Sequence, residues 1–166
     1  VDLDPQGRGP PDATIIFVVC GGFRILEINK KRLHMIKMSE LKPGDIVMAE
    51  YEGQRWDGVV KELNREDKEV CVETSVQEFW FTPEHLYPIP VSDEQLLKMG
   101  FTRKENEDGS IKYMKDSFRV LIPHKDDFSN MEIWWREDHR YLNQHINMHE
   151  LQNHYLQMTK VELWPA

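Results

Sequence analysis

Short runs in which apolar and polar residues alternate fill the stretch from residue 38 to residue 90. In the run 69–74, for example, Val70 and Val72 share one side, and their neighbours take the other. This alternation is typical of half-buried β-strands. Further strands are predicted at 46–51, 56–63 and 79–81. Because four or five short strands follow one another closely, we predict a small antiparallel β-barrel over residues 38–90.

A different pattern follows the proline-rich connector at residues 87–90. Ser92 is suited to cap the start of a helix, Gln95 completes a capping box, and Gly100 is suited to end the helix. A closing helix is predicted to begin at Asn147, with Glu150 as its capping partner. Strands are predicted between these helices, over 101–122 with breaks at Asp108-Gly109 and near Asp116, and over 131–135; a last strand is predicted at 161–164.

The chain is therefore predicted to be an α+β protein in three parts. Residues 1–37 form an N-terminal arm and a β-hairpin, with a turn at Cys20-Gly21-Gly22. The sequence leaves open whether this part is native or an added extension. Residues 38–90 form the barrel, and residues 91–166 form a compact α-β-β-β-α unit.

The charge of the chain is concentrated in the predicted barrel. The formal net charge is −8 over 166 residues. Residues 38–90 carry five Lys and Arg against twelve Asp and Glu, a difference of −7. An acidic surface repels phosphate backbones, so we expect no nucleic-acid partner and favour a protein partner.

Cysteine content and hydropathy indicate a cytoplasmic protein. No apolar run approaches the length of a transmembrane helix, so no membrane association is expected. The two cysteines, Cys20 and Cys71, are too few and too far apart for a disulfide framework or a zinc ribbon. Free, buried thiols in a reducing compartment are the preferred interpretation.

Part of the chain resembles a Tudor domain. The resemblance is carried by the run from Gly44 to Tyr51, by Trp56, by the valines of the next strands, and by Leu86. It implies a five-stranded SH3-like barrel, some members of which hold methylated Lys or Arg in an aromatic cage. The residues that would form such a cage here are Tyr51, Trp56, Phe79, Trp80 and Phe81.

A second resemblance covers about residues 38–164. The chain is similar to small accessory proteins of gut-bacterial phages and mobile elements, which share four short motifs in a fixed order. In this sequence those motifs lie at 41–47, 87–91, 96–101 and 149–155. The resemblance implies a cytoplasmic accessory protein without a known activity.

Histidines are the only catalytic residue type enriched in one region, near the C-terminus. His145 and His149 are four residues apart, which is the spacing of a helical metal pair. The helix is predicted to begin only at Asn147, so His145 would lie outside it, and we expect a structural role for both. Paired carboxylates fall in predicted turns, and we expect neither a cofactor nor a catalytic centre.

Three functions remain open. The favoured one is a non-enzymatic accessory protein that binds a host or phage protein and so interferes with a host system. The second is a Tudor-like reader of methylated Lys or Arg. The third is a metal-dependent enzyme that uses the C-terminal histidines. The oligomeric state is not predicted.

Overall fold

Two five-stranded antiparallel sheets and two helices make up the part of the chain described by the computed structural model, residues 36–166. The N-terminal hairpin with Cys20, predicted above, lies outside these residues. Residues 36–166 all belong to one compact unit. The predicted α+β class is confirmed.

The first sheet follows the chain in a meander and then returns to its first strand. Its strands have the order β4-β3-β2-β1-β5. A 3-10 turn, Pro83–His85, separates the last two of them. Their bounds are β1 Ile46–Tyr51, β2 Gln54–Asn64, β3 Glu69–Thr74, β4 Glu78–Phe81 and β5 Leu86–Tyr87.

Local sequence explains the shape of this sheet. The turn between β1 and β2 has positive φ at both central residues, Glu52 at 50° and Gly53 at 76°. These values suit the two-residue hairpin turn whose twist matches that of the strands. The register shifts between Val60 and Glu62 at a β-bulge, and bulges bend a strand and increase its twist.

The first sheet is curved but open. Its end strands, β4 and β5, do not pair with each other in the described part of the chain. The residues between them form the 3-10 turn, which begins with a proline that has no N–H to donate. The strands predicted for this region are present, but they do not form a closed barrel.

The second sheet is a simple meander with the order β10-β9-β8-β7-β6. It has five strands where the α-β-β-β-α prediction has three. The predicted breaks at Asp108-Gly109 and near Asp116 are confirmed and divide 101–122 into three strands. The strand missing from the prediction is the polar edge strand β10, which lacks a strand-like sequence pattern. The bounds are β6 Thr102–Glu105, β7 Ile111–Lys115, β8 Phe118–Ile122, β9 Met131–Trp135 and β10 Asp138–Leu142.

Both predicted helices are present with their caps. Helix α1 is Asp93–Lys98, and the Ser92 hydroxyl accepts a hydrogen bond from the Gln95 N–H. Helix α2 is Met148–Thr159, and Asn147 and Glu150 form the predicted capping box. The prediction of a strand at 161–164 is wrong, because this segment pairs with no other strand of residues 36–166. It is held by isolated hydrogen bonds, such as the one from the Gln152 side chain to the Leu163 carbonyl.

Two hydrophobic cores hold the unit together. The larger lies between the second sheet and the helices, and it includes Phe118, Leu151 and Tyr155. The smaller fills the concave face of the first sheet around Val47, Val72 and Phe81. Strand β1 contributes to both cores, because its alternate residues Ile46 and Met48 face the larger one.

Candidate binding surface

Three aromatic side chains meet at the open end of the concave face of the first sheet. The rings of Tyr51 and Phe79 are stacked, with centroids 6.2 Å apart and an angle of 20° between planes. Phe81 approaches Phe79 edge-on, with centroids 6.1 Å apart. We call Tyr51, Phe79 and Phe81 the aromatic patch. All three were predicted as binding residues.

Strand alternation and sheet curvature create this patch. Phe79 and Phe81 are cross-strand partners of Val72 and Val70, so both share the apolar face of the sheet. Tyr51 lies on β1, three strand spacings from β4, which is roughly 14 Å in a flat sheet. Ring contact across that separation requires a curved sheet with the two side chains leaning towards each other.

The patch has a buried floor and two exposed walls. Phe81 is only 6% exposed and belongs to the smaller core, whereas Tyr51 is 54% and Phe79 39% exposed. Exposed rings that are braced by a buried one present fixed faces to solvent. Such an arrangement suits recognition of a side chain that enters from outside.

The other two predicted binding residues are not part of the patch. Trp80 lies between Phe79 and Phe81 in sequence and therefore points to the opposite face, opposite Cys71 on β3. Trp56 shares the concave face through its partner Ala49 and is half-buried. Among the aromatic pairs of residues 36–166, none joins Trp56 to the patch.

Carboxylates surround β3 and β4. Glu73 forms an ion pair with Lys61 across the neighbouring strand, and Glu62 lies opposite Cys71. Burial raises the pKa of the Cys71 thiol, and the charges of Glu78 and Glu62 raise it further. The potential on this side of the sheet is therefore negative.

Aromatic rings of this sheet already hold a cation. The guanidinium carbon of Arg55 lies 4.8 Å from the centre of the Tyr87 ring. The same guanidinium donates to Glu50 over 2.7 Å. In this sheet, a basic side chain is thus held by a ring face and a carboxylate together.

The two histidines considered as metal ligands do not act together. His145 is exposed and precedes α2, whereas His149 is 3% exposed in the first turn of that helix. The Nδ1 atom of His149 has no hydrogen-bond partner, and burial lowers the pKa of this histidine. Within residues 36–166, no group of three His, Cys, Asp or Glu is placed to hold a metal ion.

One histidine–carboxylate pair was not predicted. His139 Nε2 lies 3.2 Å from Glu132 Oε2, and the His139 ring stacks on Trp134 with centroids 3.6 Å apart. The pair joins neighbouring positions of β9 and β10 on the face of the second sheet away from the larger core. Because β10 was not predicted, no sequence pattern indicated that these residues lie together.

The aromatic patch lies apart from two open clefts on the surface. One open cleft of about 480 Å³ lies beside His149 and His154. Another of about 410 Å³ lies beside Tyr141 and Glu132. Neither is lined by Tyr51, Phe79 or Phe81, so the patch is a surface site and not a deep pocket.

No protein-family model matches the chain, and no curated protein does. Neither helix of residues 36–166 has the length and apolar character needed to cross a membrane.

Proposed function

We propose that the chain is a non-enzymatic binding module that takes a Lys or Arg side chain of a partner protein on the aromatic patch. The observation that carries the proposal is the stacked pair of exposed rings, Tyr51 and Phe79, whose centroids are 6.2 Å apart. The target side chain is either unmodified or methylated, and methylation lowers the cost of removing its charge from water.

Charge supports a basic partner. The region that contains the patch carries twelve acidic against five basic residues. Such a surface attracts a basic segment over a distance and repels an acidic one. The ring faces then supply the short-range attraction, which is worth roughly 0.5–2 kcal/mol for one cation.

The same proposal includes an SH3-like architecture for residues 38–90. Four consecutive antiparallel strands, a 3-10 turn at Pro83–His85 and a short fifth strand that returns to β1 support it. Curvature of the sheet, which brings Tyr51 to Phe79, supports it as well.

We also propose that the protein is a cytoplasmic accessory protein of phage or mobile-element type, which acts by interfering with a host system. Its support is the four ordered sequence motifs, and the free, buried thiol of Cys71 is consistent with a reducing compartment. The flanking genes test the proposal, since phage structural or mobility genes are expected on at least one side. Host housekeeping genes on both sides would count against it.

The binding proposal is tested with Tyr51→Ala on an array of Lys- and Arg-containing peptides in unmodified and methylated forms. Loss of one wall of the patch is expected to weaken binding about tenfold, measured by fluorescence anisotropy on the best peptide. Tyr141→Ala is the matched control, because Tyr141 is also exposed, at 66%, but lies on the second sheet. Equal affinities of the two variants would contradict the proposal.

A further inference from the structure

Strand β4 is an open edge of the first sheet. It stands last in the strand order and pairs only with β3 in residues 36–166. An edge strand presents a row of unpaired N–H and C=O groups to solvent. Proteins protect such an edge with charged residues, above all Lys, with Pro, or by keeping the strand short. Strand β4, Glu-Phe-Trp-Phe, has four residues and one charge, Glu78, and contains neither Lys nor Pro.

The register shows which backbone groups face outward. The N–H of Thr74 donates to the carbonyl of Gln77 over 3.1 Å where the β3–β4 hairpin closes. Hydrogen-bonded and non-hydrogen-bonded pairs alternate along an antiparallel ladder. Counting from Thr74 and Gln77, the backbone groups of Phe79 and Phe81 point towards β3. Those of Glu78 and Trp80 therefore point to the open edge.

Side chains beside this edge offer contacts on both faces. Phe79, 39% exposed, belongs to the aromatic patch on the concave face. Trp80, 47% exposed, covers the opposite face next to Cys71. A strand placed along β4 would therefore bury apolar surface on each side while its backbone bonds to Glu78 and Trp80.

We infer that an extended, basic segment of the partner adds to the first sheet as a new strand, antiparallel to β4. The inference rests on the proposed function, since it uses the same patch. Backbone bonds to Glu78 and Trp80 fix the register of the segment. A Lys or Arg opposite Phe79 then has its side chain on the concave face, beside the exposed ring of Phe79.

Charge selects this occupant over a second copy of the chain. Glu78 lies on β4 and Glu73 on the neighbouring strand β3, both on the face opposite the aromatic patch, and Glu73 has a cationic partner, Lys61. Two copies paired edge to edge would bring these carboxylates close to their own equivalents, and like charges on neighbouring strands destabilise a sheet. A basic segment adds no carboxylate to this edge, and its positive charge is attracted by the net charge of −7 on residues 38–90.

Glu78→Pro tests the strand addition. Proline removes the outward N–H at the first residue of an edge strand, a position where the fold tolerates it. The probe is a fluorescein-labelled peptide of eight alternating Arg and Thr residues, and the readout is anisotropy. Glu78→Pro is expected to bind about tenfold more weakly than Glu78→Gln, which loses the same charge but keeps the N–H. Thermal melting of both variants establishes that they are folded.

Backbone methylation of the peptide provides a test that needs no variant. With Arg opposite Phe79, the Thr residues lie opposite Glu78 and Trp80, so their N–H groups face β4. Methylating the Thr nitrogens is expected to weaken binding about tenfold, whereas methylating the Arg nitrogens leaves it within about twofold. Equal effects, or the reverse order, overturn the inference.

Failure of the inference is distinguishable from failure of the proposed function. If Tyr51→Ala weakens binding and both Glu78→Pro and Thr methylation do not, the patch binds a cation without strand addition. If none of the three weakens binding, both proposals fall. Dimerisation of the free protein that Glu78→Pro abolishes would assign the edge to a second copy and overturn the basic segment.

Discussion

At the scale of single residues, Gly58 is required by a close approach and not by its backbone angle. An added Cβ at this position would lie 2.4 Å from Val72 Cγ1 and 2.9 Å from the Glu73 carbonyl oxygen. Both neighbours belong to the adjacent strand β3, and Val72 is fully buried. A side chain at residue 58 would therefore push β2 and β3 apart.

Gly58→Ala is expected to lower the free energy of unfolding by about 2 kcal/mol, as overpacking of a core does. Urea denaturation measures the change. Ser75→Ala, an exposed substitution between β3 and β4, serves as the control and should change stability by less than about 0.5 kcal/mol. A Gly58→Ala protein as stable as the control would show that the two strands separate freely.

The buried histidine of α2 gives a second prediction at this scale. Burial lowers the pKa of His149 below the ordinary value of 6.5. At pH values between the folded pKa and 6.5, the unfolded chain therefore binds more protons than the folded chain. The contribution of neutral His149 to folding stability is therefore fully present above pH 6.5 and is lost as the pH falls through the folded pKa.

His149→Phe is expected to reduce the loss of stability between pH 7 and pH 5 by about 1 kcal/mol. Urea denaturation at a series of pH values measures it, with His145→Phe as the control because His145 is exposed. Burial also lowers the pKa of His154, so some dependence of the same sign should remain in both variants. Identical pH profiles for the wild type and His149→Phe would show that His149 does not cause this loss of stability at low pH.

At the scale of elements, one glutamine side chain ties α2 to the first sheet and to the C-terminal segment. Gln152 Oε1 accepts from the Ile46 N–H over 2.8 Å. Its Nε2 donates to the carbonyls of Gly44 and Leu163 over 2.7 and 2.8 Å. Gln152 is 1% exposed, so these backbone groups have no access to water when the side chain is removed.

Gln152→Leu is expected to cost about 4 kcal/mol, because three buried backbone groups lose their partner. Chemical denaturation measures the cost, and Gln157→Leu on the exposed side of the same helix provides the comparison. Comparable losses in the two variants would mean that α2 is held by its apolar face alone.

The elements also differ in how well sequence predicted them. Strand β3 has a clear alternation of apolar and polar residues, and both helices have N-terminal caps that the sequence indicates. The bounds of β3 and the starts of both helices were therefore predicted to within a residue or two. Strand β10 was missed because Asp138, His139 and Arg140 have no apolar alternation. It is a strand because β9 supplies a partner, which is a tertiary cause.

At the scale of the whole molecule, the first sheet combines a structural role with the proposed binding role. One face of β1 packs into the larger core through Ile46 and Met48, and the other bears Tyr51 at its end. Tyr51 of the patch therefore lies on a strand that is fixed by buried contacts on both faces, which favours precise presentation of its ring. Binding is expected to depend on ring identity more than on stability changes elsewhere in the unit.

Sequence by itself determined the class of the protein, most of its strands, both ends of α1, the start of α2 and the acidic character of residues 38–90. These follow from local patterns, which act over a few residues. Only the tertiary structure decided that Tyr51 meets Phe79, that Trp56 is not in contact with the patch, and that β4 is an edge within residues 36–166. The physical reason is that curvature and strand order bring together residues that no local pattern relates.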